Sequence, residues 1–291
     1  MTLRYIKCNC FKTNISTKLM SSEPNTRRES IDANKVNAAI EALASGNIGN
    51  AESLLLEVIA NTPLEYSNSE EDDEGISIKF WDQTDFIHYV TWQKKQGLLN
   101  KNICWIGNAY PRAHYYMGFL CVKRKQFDRA IEFLSKGQSL EPTNPKFVFE
   151  MALALMQSGR RKESLVLYDQ ITEITPYVSL NDLAVACRGR GFVLIEMGKL
   201  DKAEVAFKSS LQIEPNNDVA LNELQYIKHL RQGGSTTFAE TVPSTVSDLS
   251  RCSVCGQEFN NGTVVSLNGM PISICKQCDP KLTKKWWQFW K

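Results

Sequence analysis

The sequence has 291 residues, of which 43% are hydrophobic and 23% are charged, and its formal net charge is +2. This composition is that of an ordinary globular protein, and the near-neutral charge excludes a global electrostatic attraction to nucleic acid or to an anionic membrane. No run of 18 or more apolar residues is present, so a membrane-spanning helix is not predicted.

Residues 1–31 are predicted to be a flexible leader. This segment contains basic residues and no acidic residue before Glu23, and Lys7 and Lys12 interrupt any continuous apolar stretch of the kind found in a secretory signal. An organelle transit peptide shares the basic bias, whereas Met20 would serve equally well as a translation start. We therefore expect an unstructured leader or an over-extended reading frame, and a cytoplasmic protein.

Four amphipathic helix pairs recur along the chain, at 32–65, 111–144, 145–178 and 179–217. Each pair is closed by a proline, at Pro63, Pro142, Pro176 and Pro215. Three pairs share a glycine at one internal position, where a helix-to-helix turn is needed: Gly46, Gly159 and Gly198. Apolar residues recur at helical spacing within the pairs, as in Phe127, Ala130, Ile131 and Leu134. The pattern predicts repeated α-helical hairpins.

Residues 111–217 resemble the tetratricopeptide repeat family. The marker residues of three successive repeats are Gly118, Ala130 and Pro142; Ala152, Tyr168 and Pro176; and Gly191, Ala203, Phe207 and Pro215. Similar marks recur within 32–65. The resemblance implies an all-α, right-handed helical solenoid, in which small residues let two helices approach and larger ones fill the space between pairs. Residues 179–183 depart from the pattern as an insertion, and 218–230 are expected to form a capping helix.

An insert at 66–110 separates the first repeat from the second. It opens with an acidic run from Glu70 to Glu74, which we interpret as a solvated, mobile loop. An aromatic-rich stretch follows, in which Phe86, Tyr89 and Trp92 recur every three residues. This spacing predicts a short helix that packs on the solenoid. His88 lies in it and is interpreted as a structural histidine.

The resemblance also implies a partner-binding groove lined by the first helix of each pair. Its residues would be Arg112, Tyr115, Tyr116, Phe119 and Lys123 in one repeat, Lys146 and Phe149 in the next, and Arg188 and Phe192 in the last. Such an aromatic and basic surface suits a protein segment of acidic and apolar character. The alternative is that the aromatic side chains belong to the core, because a register error of one residue would turn several of them inward.

Some tetratricopeptide proteins hold the C-terminal carboxylate of heat-shock chaperones with lysine and asparagine side chains on these helices. In this chain the corresponding places are Tyr115, Phe119, Glu150, Val185 and Gly189. None of them is a lysine or an asparagine, so the sequence does not favour a chaperone carboxylate clamp.

After a flexible linker at 231–250, residues 251–291 resemble a zinc ribbon. Cys252, Cys255, Cys275 and Cys278 form two C-x2-C pairs separated by 19 residues, a spacing that brings four thiolates into one tetrahedron. Alternating apolar residues between the pairs predict a β-hairpin that turns near 268–269. We expect a small β module held together by structural zinc, with redox chemistry of the C-x2-C pairs as the alternative.

The chain continues into an aromatic and basic tail. Its aromatic residues are Trp286, Trp287, Phe289 and Trp290. Three interpretations stay open: packing on the zinc module, contact with a membrane interface, where tryptophan and lysine are both favoured, and docking into the groove or a partner.

The sequence therefore predicts a non-enzymatic scaffold that binds a protein segment. No nucleophile elbow, phosphate-binding glycine loop or histidine-carboxylate metal signature is present. A zinc-ribbon nucleic-acid binder on a repeat platform is the alternative, although the modest charge of the module does not favour nucleic acid. A thiol redox protein is a further alternative. The identity of the partner and the oligomeric state are not encoded in any motif.

Overall fold

The structure is a computed structural model that describes residues 24–73, 75–233, 262–267 and 270–275, with side chains at 28–73 and 75–233. The chain divides into two compact units, Met1–Ala186 and Cys187–Lys291, and each is described by itself. Among the helices of the described part, none combines the length and the hydropathy needed to cross a bilayer.

The described part of the first unit is mainly helical. Its helices are α1 (Pro24–Ala44), α2 (Ile48–Ala60), α3 (Gln83–Lys95), α4 (Tyr110–Lys123), α5 (Phe127–Leu140), α6 (Pro145–Gln157), α7 (Arg161–Tyr168) and the beginning of α8 (Leu180–Glu196). Three helical hairpins, α1–α2, α4–α5 and α6–α7, follow one another, and α2 packs on α4 as α5 packs on α6. The prediction of a mainly helical repeat fold is confirmed.

The turns within the helix pairs explain the glycine pattern. Gly46, Gly159 and Gly198 have φ values of +79°, +84° and +70°, a left-handed conformation that side chains disfavour. Lys125 takes the same internal position in the pair α4–α5 and has φ of +58°. One turn therefore keeps the left-handed backbone without the glycine that would relieve it.

Small residues lie where two helices of a pair meet. A Cβ atom added at Gly118 would lie 2.4 Å from Leu134 Cγ, so α4 and α5 approach too closely there for any side chain. Ala130 is likewise fully buried. Larger apolar residues, including Leu55, Met117 and Phe147, form the core between successive pairs. The marker residues thus have the packing roles that the sequence analysis assigns to them.

The insert contains a three-stranded sheet that the sequence analysis does not predict. Its strands are β1 (Ser69–Glu71), β2 (Gly75–Lys79) and β3 (Asn102–Ile106), with β1 antiparallel and β3 parallel to β2. The expectation of a mobile acidic loop is corrected, because part of the acidic run is β1, whose backbone pairs with β2. The expected short helix is α3, which connects β2 to β3.

Two helix boundaries also differ from the sequence analysis. α1 begins at Pro24, eight residues before Asp32. α8 begins at Leu180, so most of the expected insertion at 179–183 is helical. The cause is a reciprocal cap, in which Asp182 Oδ2 accepts from Ser179 N at 2.8 Å and Ser179 Oγ accepts from Asp182 N at 3.2 Å.

The described part of the second unit contains the rest of α8, α9 (Leu200–Ile213), α10 (Asp218–Arg231), and an antiparallel hairpin of β4 (Gly262–Leu267) and β5 (Met270–Cys275). α10 takes the place of the expected capping helix, and Asn217 caps it by accepting from Ala220 N at 3.1 Å. Most of the leader and most of the linker lie outside the described residues.

Candidate protein-interaction surface

Seven of the predicted groove residues lie on α4 and α6 in the first unit: Arg112, Tyr115, Tyr116, Phe119, Lys123, Lys146 and Phe149. The insert contacts this surface near the N-terminal ends of both helices. We name that region the proximal face and define it by Arg112, Tyr115, Lys146 and Phe147.

Trp81 of the insert is the central contact with the proximal face. Its ring lies edge-on to Tyr115 and to Phe147, with ring centroids 5.0 and 5.6 Å apart. Tyr115 and Phe147 also pack edge-to-face on each other at 5.8 Å. Such pairs add to the stabilisation from burying the rings. Tyr115, which the sequence analysis assigns to a partner, thus contacts the chain's own insert.

The indole of Trp81 is also hydrogen-bonded to a buried carboxylate. Its Nε1 donates to Glu141 Oε2 at 2.7 Å, and Asn108 Nδ2 donates to the same oxygen at 3.0 Å. Asn144 Nδ2 donates to Glu141 Oε1 at 2.9 Å. Burial raises the pKa of Glu141 to about 7, although the three donors act in the opposite direction. Glu141 therefore joins the insert to the turn between α5 and α6.

Lys146 connects the proximal face with the start of α3. Its Nζ lies 2.6 Å from Asp85 Oδ2, 3.7 Å from Asp82 Oδ2 and 5.0 Å from the centroid of the Trp81 ring. Burial opposes the charge of Lys146, but the two carboxylates outweigh it and raise the pKa of this lysine. Because the Lys146 side chain is 25% exposed, water partly screens the ion pair.

Arg112 donates hydrogen bonds to two other parts of the chain. Its Nη2 donates to Asn37 Oδ1 of α1 at 2.8 Å, and its Nη1 donates to the carbonyl oxygen of Asn108 at 3.2 Å. Burial lowers the pKa of Arg112, and burial raises the pKa of Tyr115 and of Tyr116. These side chains thus make internal contacts instead of lining an empty groove.

The insert is also tied to the segment that follows α7. His88 Nε2 lies 2.8 Å from the carbonyl oxygen of Thr175, and the rings of Tyr89 and Tyr177 are 5.4 Å apart. His88 and Tyr177 border a cavity of about 40 Å³, which is large enough for roughly one water molecule. The interactions of His88 agree with its interpretation as a structural residue.

Further along α4 and α6 lies a region that we name the distal face: Phe119, Lys123, Phe149 and Glu150. Lys123 Nζ is 4.7 Å from the ring centroid of Phe119, and Phe149 stacks on Tyr168 at 6.4 Å. Both phenylalanines are half-buried and Lys123 is exposed. Glu150 is 9% exposed, and its Oε1 has no hydrogen-bond donor among the described residues. Burial raises the pKa of Glu150 to about 7.

The other two predicted groove residues lie in the second unit. Arg188 Nη1 donates to Ser210 Oγ at 3.0 Å and forms a short ion pair with Glu214. Phe192 packs edge-to-face on Phe207, with ring centroids 5.3 Å apart. The guanidinium of Arg188 is therefore already paired within this unit.

The predicted zinc ligands and the aromatic tail fall almost wholly outside the described residues. Cys275 ends β5, and only its backbone is described. Outside the described residues lie Cys252, Cys255, Cys278, Trp286, Trp287, Phe289 and Trp290. Within 28–73 and 75–233, no group of three or more His, Cys, Asp or Glu side chains is placed to hold a metal ion. The zinc site stays a prediction.

Sequence reasoning missed the contacts that Trp81, Asp85 and Glu141 make. One signal could have found the sheet that carries Trp81 to the proximal face. Ile76, Ile78 and Phe80 alternate with polar residues, which is the period of a half-buried strand. A helix separates β2 from β3 along the chain, so the pairing of these two strands could not be inferred from the local pattern alone.

The described helix pairs define a helical-repeat protein. The family model described as tetratricopeptide repeat matches residues 189–217. No curated protein matches the chain.

Several solved structures are similar to parts of the chain. The second TPR domain of human RPAP3, in complex with an HSP70 peptide, is 24% identical, with 40% of this chain and 98% of that chain covered and a TM-score of 0.35. The Sgt2 TPR domain from Aspergillus fumigatus is 20% identical, with 43% and 81% covered and a TM-score of 0.38. MamA is 18% identical, with 69% and 87% covered and a TM-score of 0.39.

Proposed function

We propose that this chain is a non-catalytic adaptor that binds a protein segment on the distal face. The observation that supports the proposal is the contact between the insert and the proximal face. The neighbouring proximal face already holds a segment of aromatic and acidic character, in which Trp81 lies on Tyr115 and Phe147 and Asp85 pairs with Lys146. The same two helices present further aromatic rings and a cation beyond that contact.

The distal face has the chemistry of a binding surface. Phe119 and Phe149 are half-buried rings, and aromatic side chains dominate the energetics of protein interfaces. Lys123 next to Phe119 supplies a positive charge for a carboxylate of the partner. We therefore expect the bound segment to combine aromatic or aliphatic side chains with at least one acidic residue.

The test uses a displayed library of random twelve-residue peptides, selected on the full chain and on a Phe119→Ala/Phe149→Ala variant. We expect the wild-type chain to recover peptides enriched in aromatic and acidic residues, and the double variant to bind them about tenfold or more weakly. Tyr115 is left unchanged because its loss would also loosen Trp81.

The matched control is Val166→Ala, which removes an exposed apolar side chain from α7. It should bind the recovered peptides like the wild type, and thermal unfolding should show that all variants are folded. Equal affinity of the wild type and the Phe119→Ala/Phe149→Ala variant would disprove binding at the distal face.

The proposal includes a structural zinc ion held by Cys252, Cys255, Cys275 and Cys278, in a reducing cytosolic compartment. The backbone of the hairpin supports it, because Cys275 pairs with Gly262, which follows Cys255 by seven residues in the sequence. A set of four thiolates suits tetrahedral zinc and leaves no coordination position for a substrate. Binding of structural zinc contributes roughly 10 to 16 kcal/mol in comparable peptides.

Metal analysis of the full chain purified without chelator tests the zinc site. We expect about one zinc per chain, and loss of that zinc in a Cys252→Ser/Cys255→Ser variant. The scattered thiols are left unchanged in this variant, so Cys104 and Cys121 serve as the internal control. A chain that holds no zinc and cycles between dithiol and disulfide would favour the redox alternative.

A further inference from the structure

A cleft of about 500 Å³ lies among α1, the segment after α2 and the insert. Its lining shares no residue with the proximal or the distal face. The volume falls within the range of roughly 300 to 1,000 Å³ that is typical of ligand pockets. The cleft is therefore a candidate binding site separate from the proximal and distal faces.

A buried ion pair forms the floor of this cleft. Lys79 Nζ lies 2.9 Å from Glu29 Oε2, and both side chains are less than one-tenth exposed. Tyr66 Oη donates to Glu29 Oε1 at 3.0 Å, and Lys79 Nζ also donates to the carbonyl oxygen of Ser67 at 2.7 Å. Separating the two charges would leave each of them buried without its partner, which is costly. The ion pair therefore fixes the positions of Glu29 and Lys79 on the floor of the cleft.

The walls of the cleft are aromatic and apolar. Tyr66 and Tyr110 pack edge-to-face with ring centroids 5.7 Å apart, and Pro63 and Ile106 complete the apolar lining. Such walls suit the methylene stem of a long side chain and can also attract a cation to a ring face. Lys79 already shows the second contact, since its Nζ lies 4.1 Å from the centroid of the Tyr66 ring.

The rim of the cleft is acidic. Glu65 and Glu70 line it, and both are exposed. Because Glu29 and Lys79 neutralise each other on the floor, the two rim carboxylates leave the lining with a negative charge. Arg28, the neighbour of Glu29 in the sequence, donates to Asn61 Oδ1 at 2.5 Å and does not line the cleft.

We propose that this cleft binds a lysine- or arginine-containing segment of a partner protein. The basic group meets the carboxylates of Glu65 and Glu70, and its methylene stem lies against Tyr66 and Tyr110. The partner recognised here is basic, whereas the distal face suits an acidic and aromatic segment. The chain then has two binding sites of opposite charge preference in its first unit.

The experiment selects a displayed library of random twelve-residue peptides on the full chain. The recovered peptides are synthesised and titrated against a Glu65→Lys/Glu70→Lys variant. We expect one class of recovered peptides to be enriched in lysine and arginine, to bind the variant about tenfold or more weakly, and to lose affinity as salt is added.

The matched control is Glu132→Lys/Glu173→Lys, which reverses two exposed acidic residues outside the cleft. It should bind the basic peptides like the wild type. The Phe119→Ala/Phe149→Ala variant should also bind them unchanged, so failure of the distal face and failure of the cleft give different results.

Two results would overturn the proposal. Basic peptides that are not enriched, or that lose equal affinity in the Glu132→Lys/Glu173→Lys control, would show that the cleft does not select them. The second result concerns the basic residues of the leader. If basic peptides are recovered only when the selection uses a full chain with Arg4, Lys7, Lys12 and Lys18 replaced by serine, the occupant is the chain's own leader and not a partner.

Discussion

The proximal and distal faces lie on the same two helices, but the buried carboxyl groups Glu141, next to the proximal face, and Glu150, on the distal face, differ in their hydrogen-bond donors. Burial raises the pKa of Glu141 and of Glu150 to about 7 in both cases. Glu141 accepts three hydrogen bonds, one of them from Trp81 of the insert, whereas Oε1 of Glu150 accepts none from a described residue. The insert covers the proximal face, whereas Phe119 and Phe149 of the distal face are half-buried and Lys123 is exposed.

The largest expected effect is a difference in stability between alanine variants of two phenylalanines on α6. Phe147 is fully buried and contacts Trp81, so Phe147→Ala should lower the free energy of unfolding by about 3 to 5 kcal/mol. Phe149→Ala should cost about 1 kcal/mol or less, because its ring is half-buried against Tyr168. Urea unfolding of both variants measures the difference.

Equal losses for the two variants would show that Phe149 belongs to the core. The distal face would then have no free aromatic ring on α6, and the comparison between the two faces would fail. Phe149→Leu is a suitable control, since it keeps an apolar side chain and should restore most of any loss that comes from burial alone.

A smaller effect tests how the insert is attached. Trp81→Phe keeps an aromatic ring next to Tyr115 but removes the N–H that donates to Glu141. Leaving this buried acceptor one donor short should cost about 1 to 3 kcal/mol. Amide exchange should become faster in 75–106, because these residues form the strands and the helix that Trp81 anchors.

Trp105→Phe is the matched control for this substitution. Trp105 is 44% exposed, and its Nε1 donates to the carbonyl oxygen of Phe80 at 2.9 Å, so its loss removes a donor from a backbone oxygen and not from the carboxylate of Glu141. It should have the smaller effect on stability. Identical exchange in the two variants would mean that the indole of Trp81 does not hold the insert on the repeats.

The repeats could be predicted from the sequence because their determinants are local. Gly46 and Gly159 mark turns that need a left-handed backbone, and Gly118 marks a close contact between helices. The cover of the proximal face could not be predicted in this way. It depends on β2 pairing with β3 across a helix and on Trp81 meeting Glu141, 60 residues further along the chain.

The candidate groove shows the same limit. Spacing identified Tyr115 and Phe119 as members of one helical surface, and both lie on α4. Spacing carries no information about which of them another part of the chain contacts. That distinction arises from tertiary packing, which brings the ring of Trp81 into contact with Tyr115. The single Lys125 among the turn glycines likewise shows that a local rule can be overridden at one repeat.

The third prediction concerns pH. Because burial raises the folded-state pKa of Glu141 from the ordinary value of 4.5 to about 7, the folded chain binds this proton more tightly than the unfolded chain. The stability that Glu141 contributes is therefore fully present below pH 4.5 and is lost as the pH rises towards 7. Glu141→Gln should reduce this pH dependence by an amount on the order of 1 kcal/mol, measured by urea unfolding at pH 5 and pH 8.

Glu150→Gln provides the comparison between the faces. It should reduce the pH dependence in the same direction, but without a loss of stability at pH 5, since Oε1 has no described donor to lose. Glu141→Gln should lose stability at pH 5, because its amide nitrogen would face the donating Asn144 or Trp81. Burial also raises the pKa of Glu223 to about 7, so both variants should keep some pH dependence.

The smallest expected effect concerns the ion pair that borders Trp81. Lys146→Met keeps the apolar stem beside the ring but removes the charge that meets Asp85 and Asp82. We expect a loss of about 0.5 to 1 kcal/mol at low salt, which shrinks as salt is added, because the lysine and Asp85 are 25% and 34% exposed. Lys136→Met, which breaks an exposed pair with Glu132, should cost about 0.5 kcal/mol or less.

The order of these last losses decides what attaches the insert. If Lys146→Met costs more than Trp81→Phe, electrostatic attraction holds the insert on the proximal face, and a sufficiently acidic partner segment could displace it. If Trp81→Phe costs more, as expected, the indole and its hydrogen bond to Glu141 fix the insert, and added salt should not release it. A partner segment of aromatic and acidic character would then be restricted to the distal face, because the proximal face stays covered at any ionic strength.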